Sequence, residues 1–258
     1  MRSRVPRTAA LAVVALLLSA AAFADEVRVI TSGAFTPACL QLVPEFERTT
    51  HHKIVTTFGA SMGSGPNTIP SRLQRGEPAD VVILAASALD ELIKQGKVVA
   101  GSRVDLVRSR IGMAVRAGAP RPDITSVEAL TQTLLRAKSI GVSSSASGIY
   151  LSTDLFQRLG IAEQLKGKIR ISEEAVGTLV AGGDAEIGFQ QISELLAVPG
   201  IDYVGTLPAA VQRETVFSAG IVSGARAPDA ARALLKFFAS PAVAPIIRKT
   251  GAEPITTR

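Results

Sequence analysis

The stretch Ser139-Ile-Gly-Val-Ser-Ser-Ser-Ala-Ser-Gly-Ile-Tyr-Leu151 holds the plan of the whole chain. Ser139 to Val142 makes a short apolar strand, and Ser143 to Gly148 is a run of small residues. The spacing of Tyr150, Leu151, Leu155 and Leu159 then predicts a helix that stops at Gly160. A strand that ends in small residues and passes into a helix is half of a parallel α/β unit.

The same design recurs along the chain. Ser32-Gly33-Ala34 follows a strand over 27–31, Ala60 to Gly65 follows one over 54–58, and Phe189-Gln190-Gln191 closes one over 185–190. Further strands are predicted at 79–84, 107–115, 168–171, 202–207 and 215–223. Thr36-Pro37 reads as a cap followed by proline at the first helical position, with Leu40, Val43 and Phe46 on one helix face and a kink at Pro44. Thr125 to Glu128 reads as a capping box, and Glu173 to Ala181 as a short helix. The alternation predicts an α/β fold of parallel-type sheets flanked by helices, split into two lobes. The long strands near 107–115 and 215–223 are where the chain would cross between them, a two-strand hinge. One lobe is then discontinuous, residues 25–107 with 218–258, and the other spans 108–217.

Composition narrows the function. With 47% apolar and 19% charged residues, the 258-residue chain can build a real core. Its single Cys, two His and lack of Trp leave little material for disulfides, multi-His metal sites or base-stacking surfaces. Arg2, Arg4 and Arg7 precede an apolar run from Ala9 to Ala22, and Ala22-Phe23-Ala24 is a small-x-small cleavage signal. This predicts a secretory signal peptide over 1–24, cut after Ala24, and a soluble periplasmic product. The run of about 14 residues falls short of the roughly 20 that a spanning helix needs. The three arginines account for part of the 28 Lys and Arg, leaving 25 against 22 acidic residues, a net charge of +3. That charge, with no basic run, is no nucleic-acid footprint.

The chemistry is expected at the strand ends. In open α/β sheets ligands bind beyond the carboxyl ends of strands, where helix N-termini offer free N–H groups and small residues allow close approach. Ser32, Gly33, Ala34, Ser61, Met62, Ser64, Ser145, Ser147, Val176, Gln190 and Gln191 are the candidate ligand-binding residues, with Arg72 as the best-placed cation for a carboxylate. They describe a site for a small anion. No motif implies a cofactor or a metal, and His51-His52, adjacent in sequence, cannot chelate together from a strand. The absence of G-x-S-x-G, P-loop and H-E-x-x-H patterns leaves the common hydrolase and nucleotide chemistries without residues.

The stretches Val29-Ile-Thr-Ser-Gly-Ala-Phe-Thr36, Glu77-Pro-Ala-Asp-Val-Val-Ile-Leu84, Ser147-Gly-Ile-Tyr150 and Ile187-Gly-Phe189 resemble the periplasmic molybdate-binding-protein family of the type II solute-binding superfamily. The resemblance covers nearly the whole mature chain. It implies two α/β lobes around a ligand cleft, a monomer, and delivery of the ligand to an inner-membrane ABC permease. The family's oxyanion donors fall at or near Ala34, Ser61 or Ser64, Ala146 or Ser147, Ala175 or Val176, and Gln191. Hydroxyls are thus missing at Ala34 and Gln191, and Met62 and Pro66 lengthen the second loop, which argues against molybdate or tungstate.

Ser61-Met-Gly with Ile69-Pro-Ser-Arg-Leu73, Ala88-Leu-Asp90, Arg103-Val-Asp105 and Gly188-Phe-Gln-Gln191 resemble a subgroup that includes periplasmic aconitate isomerase. That resemblance implies an allylic proton shift between cis- and trans-aconitate, with donors for three carboxylates and an acid/base. Tyr150, Glu173 and Glu174 are the candidate proton carriers. The function expected is a solute receptor for an oxyanion or organic polycarboxylate, with an isomerase on the same scaffold as the alternative.

Overall fold

The computed structural model describes residues 25–255, so the predicted signal peptide lies outside the described residues. The strands are β1 (Glu26–Thr31), β2 (Lys53–Phe58), β3 (Val81–Ala85), β4 (Val104–Arg116), β5 (Ile140–Ser143), β6 (Ile169–Ser172), β7 (Ile187–Gln191), β8 (Ile201–Thr206), β9 (Glu214–Ile221) and β10 (Glu253–Pro254). The helices are α1 (Thr36–Thr50), α2 (Ile69–Gln74), α3 (Ala86–Lys94), α4 (Val127–Arg136), α5 (Ala146–Tyr150), α6 (Phe156–Arg158), α7 (Ala162–Leu165), α8 (Val176–Gly182), α9 (Ile192–Leu196), α10 (Pro228–Phe238) and α11 (Ala244–Lys249).

The strand order is β2-β1-β3-β9-β4-β7-β5-β6, with β8 and β10 also paired to β4. The parallel expectation holds for β1 with β2 and β3, and for β5 with β6 and β7. It fails in the middle: β3–β9, β9–β4 and β4–β7 are antiparallel. β4 carries the chain one way between the lobes and β9 brings it back, so the two oppose each other.

β3 is buried along its whole length because both its faces are covered. Val81 and Ile83 join a core with Val27, Val29, Phe35, Leu42, Phe46, Leu234 and Phe238, while Val82 and Leu84 face Ile30, Ile69, Leu89 and Leu92. A separate apolar cluster uses Ile111, Met113, Leu130, Val142, Leu155, Ile187 and Phe189. This is a two-lobed periplasmic-binding-protein fold.

Local predictions shift where tertiary packing decides. α1 buries Ala38, Cys39, Leu42 and Phe46, leaving Leu40 50% exposed. It continues through Pro44, which lies on the solvent side where the carbonyl it frees can take water. α4 is capped by Ser126, whose Oγ accepts from the Ala129 N–H, while Thr125 bonds Asp123 instead. The serine run divides: Ser143 ends β5, Ser144 and Ser145 form the bend before the helix, and Ser147 lies in the first turn of α5. The predicted helix at Glu173 begins at Val176, with both glutamates in the bend before it.

Candidate functional site

The carboxyl ends of β1, β5, β6 and β7, and the loop after β2, meet at one cleft of about 1120 Å³. Both lobes contribute: Ser32, Gly33, Ser64 and Asn67 from one, Ser143 to Ser147, Glu173, Gln190, Gln191 and Glu194 from the other. No Lys or Arg stands among its described lining residues. Among the described residues no three His, Cys, Asp or Glu cluster as a metal site requires.

Ser32 ends β1 and its Oγ lies 2.7 Å from Ser61 Oγ, which also accepts from the Ala85 N–H. Gly33 has φ +60, and a Cβ there would fall 2.5 Å from the Phe217 ring, so only glycine fits this turn. Across the cleft, the Ser61 N–H donates to Ser145 Oγ at 3.2 Å, and Asn67 Nδ2 donates to Glu173 Oε2 at 3.5 Å. Ser143 Oγ accepts from the Gly148 N–H and lies 3.0 Å from Ser147 Oγ, so these two hydroxyls brace the start of α5. Ser144 and Ser145, half-buried, are left facing the cleft.

Gln190 is tied at both ends of its amide. Its Oε1 accepts from the Val176 N–H at 2.7 Å and its Nε2 donates to Glu194 Oε1 at 2.9 Å. Gln191 donates to Thr215 Oγ1 at 3.4 Å, and its buried Oε1 has no hydrogen-bond partner. Glu194 is half-buried on the cleft wall, with Oε2 3.6 Å from the Cβ position of Gly33. Burial pushes its carboxyl from the ordinary 4.5 up to about 7, and the Gln190 hydrogen bond draws it back in part.

Several sequence candidates stand elsewhere. Arg72 is buried and spent: Nε donates to Glu77 Oε2 at 2.8 Å, Nη2 pairs with Glu77 Oε1 and Thr57, and Nη1 donates to the Phe58 carbonyl. It braces the second loop and offers no open fork to a ligand. Tyr150 lies in the second lobe's core, donating to the Val211 carbonyl at 2.7 Å and accepting from Arg158, with burial pushing its phenol up. Val176 is fully buried and its N–H is taken by Gln190. Ala34 and Ser61 are fully buried behind the wall, and Met62 is not among the residues lining it. Cys39 is a core residue whose thiol burial pushes up to about 12.

Glu194 is the functional candidate that sequence reasoning missed. It sits in the first turn of a helix, where the dipole already favours an acid, so nothing in its neighbours along the chain sets it apart. Asn67 and Ser144 were equally bland as loop residues.

Two predictions arise here. Ser145→Ala removes the acceptor of the cross-cleft Ser61 bond and a cleft hydroxyl, so ligand affinity should fall about tenfold, the worth of one hydrogen bond, with little change in melting temperature. Calorimetric titration beside a thermal melt checks it; unchanged affinity removes Ser145 from the site. For Glu194, the folded value lies above the ordinary one, so the native state keeps this proton between about pH 4.5 and 7 after the unfolded chain has released it. Its contribution to stability therefore declines as pH rises through that window, by up to about 3 kcal/mol at 1.36 kcal/mol per pK unit. Glu194→Gln should flatten this loss in denaturant unfolding at pH 5 and pH 8; parallel profiles for both proteins contradict it.

With this geometry the molecule presents a cleft lined by hydroxyl, amide and backbone donors from two lobes. Residues 27–253 match the model of the bacterial extracellular solute-binding protein family, and the chain belongs to that family. It is 46% identical over 256 residues to an aconitate isomerase from Pseudomonas sp, covering 97% of this chain and 98% of the relative. It is 27% identical over 246 residues to the molybdate-binding protein ModA of Azotobacter vinelandii, covering 91% and 92%. The solved structure of the Azotobacter vinelandii periplasmic molybdate-binding protein superposes with a TM-score of 0.71 at 21% identity, over 90% of this chain and all of that one.

Proposed function

We propose that the protein is a periplasmic aconitate isomerase that takes up the tricarboxylate between lobe 25–107/218–258 and lobe 108–217. The cleft carries this reading: about 1120 Å³, with hydroxyl and amide donors spread over both walls. That volume exceeds the roughly 300–1,000 Å³ of small-molecule sites, so a branched polycarboxylate has room between the walls. Near identity in length and 46% identity to an aconitate isomerase support the same activity. The proposed reaction moves one proton along an allylic system. It draws on donors that stabilise charge developing on the substrate carboxylates and on one positioned acid/base, without a cofactor.

A receptor for a small anion, handing it to an ABC permease, is the second reading, favoured by the molybdate-binding relatives. In either case the monomer closes its lobes about the crossing strands. The test is proton NMR of the purified secreted protein with cis-aconitate, beside thermal shifts with molybdate, sulfate and citrate. Formation of trans-aconitate at catalytic protein levels is expected. No turnover, with a melting shift for an inorganic oxyanion, replaces the enzyme with the receptor.

A further inference from the structure

We propose that Glu194 is the catalytic acid/base of this cleft and Gln190 its positioning residue, an assignment that rests on the isomerase reading above. The geometry assigns the two oxygens of the carboxyl different tasks. The Val176 N–H can only donate, so it fixes the Gln190 amide with Oε1 toward itself and the NH₂ toward Glu194. Glu194 Oε1 is thereby pinned at 2.9 Å from Nε2. Oε2 is left at the cleft face beside Gly33, where the turn after β1 meets α9. The absence of a side chain at Gly33 keeps that face open.

No ion pair among the described residues involves Glu194. α9 packs against β4, β7, β8, α1, α8 and the Gly33–Phe35 turn, and no charged side chain on them shifts this carboxyl. Burial and the Gln190 bond account for it, and they hold it where both protonation states are populated near neutrality. Glu173 and Glu174, the other cleft carboxyls, are exposed at the mouth, and Glu173 faces Asn67. Both stand in solvent, whereas Glu194 is set into the cleft wall.

In the step, ionised Oε2 removes a proton from the substrate methylene carbon. The C–H electron pair becomes part of an extended enolate whose charge spreads onto the substrate carboxylate facing the donor loops. The Oε2–H bond then breaks, and that proton goes to the former vinylic carbon. The double bond has moved by one position and re-forms with the opposite geometry, and the carboxylate is regenerated.

The test compares wild type, E194Q, E194D and Q190A by NMR turnover of cis-aconitate, with citrate binding followed by calorimetry. E194Q keeps the shape and an acceptor for Gln190, and should lose at least 100-fold in rate, within the 10²–10⁴-fold range of general acid–base catalysis, with citrate affinity within about threefold. E194D keeps the acid one methylene further back and should retain a reduced, measurable rate. Q190A should move the pH–rate profile upward, because it removes the bond that lowers the Glu194 carboxyl; a merely structural role would lower the rate without moving the profile. Turnover in wild type that is undiminished in E194Q overturns the assignment alone. No turnover in wild type overturns the isomerase reading, and this assignment with it.

Discussion

Asp80→Ala is expected to lower the unfolding free energy by about 3–5 kcal/mol, the range for removing one partner of a buried charged network. Asp80 is 2% exposed, and its carboxylate serves three backbone N–H groups from two distant places in the chain. Oδ2 accepts from Arg28 at 2.8 Å, and Oδ1 from Arg226 at 2.6 Å and Ala227 at 3.2 Å. It therefore stitches β1, the start of β3 and the entry to α10, joining the two ends of the chain in one lobe. It also places negative charge at the N-terminus of an eleven-residue helix. Alanine leaves three donors without their acceptor, against a total stability of about 5–15 kcal/mol. Urea unfolding checks this, and Asp80→Asn, which keeps one acceptor oxygen, should cost less. A loss below about 1 kcal/mol in Asp80→Ala would mean that water replaces the carboxylate.

Gly148→Ala should be comparably severe and should also damage ligand binding. A Cβ at Gly148 would sit 1.7 Å from the Ser143 carbonyl oxygen and 2.7 Å from its carbon. These are backbone atoms at the end of β5, so no side chain can swing aside. The variant must move either the strand end or the first turn of α5, at a cost of about 3 kcal/mol or more by analogy with overpacked cores. Either movement displaces Ser144 and Ser145 from the cleft. Gly167→Ala is the control: nothing lies within 4 Å of its Cβ position, and the change should be neutral or slightly stabilising. Melting temperature and citrate affinity measured on both variants separate the two cases. A Gly148→Ala protein with wild-type stability and affinity contradicts the packing argument.

The cleft loops were readable in advance because their signals are local. A strand end, a small residue and a helix start lie within a few positions of each other, as at Ser32-Gly33 and Ser143–Gly148. The same locality explains the errors. Arg72 reads as a free cation along the chain, but Glu77, five residues on, and the Phe58 carbonyl consume it. Tyr150 follows the serine run closely, yet the helix turns it into the core against Val211 and Arg158.

By itself, then, the sequence determined the alternating α/β plan, the small-residue segments after β1, β2 and β5 and the lack of material for multi-histidine metal sites, since periodicity and composition act over short range. Tertiary structure alone decided that the crossing strands run antiparallel, that Gln190 spends its amide on Val176 and Glu194, and that Glu194 faces the cleft. Its carboxyl is desolvated beside Gly33, some 160 residues earlier in the chain, and Ser193 Oγ bonds the Ala34 carbonyl there. A carboxyl's protonation follows the dielectric and donors around it. For Glu194 that environment comes into being only when the two lobes and their distant segments pack together.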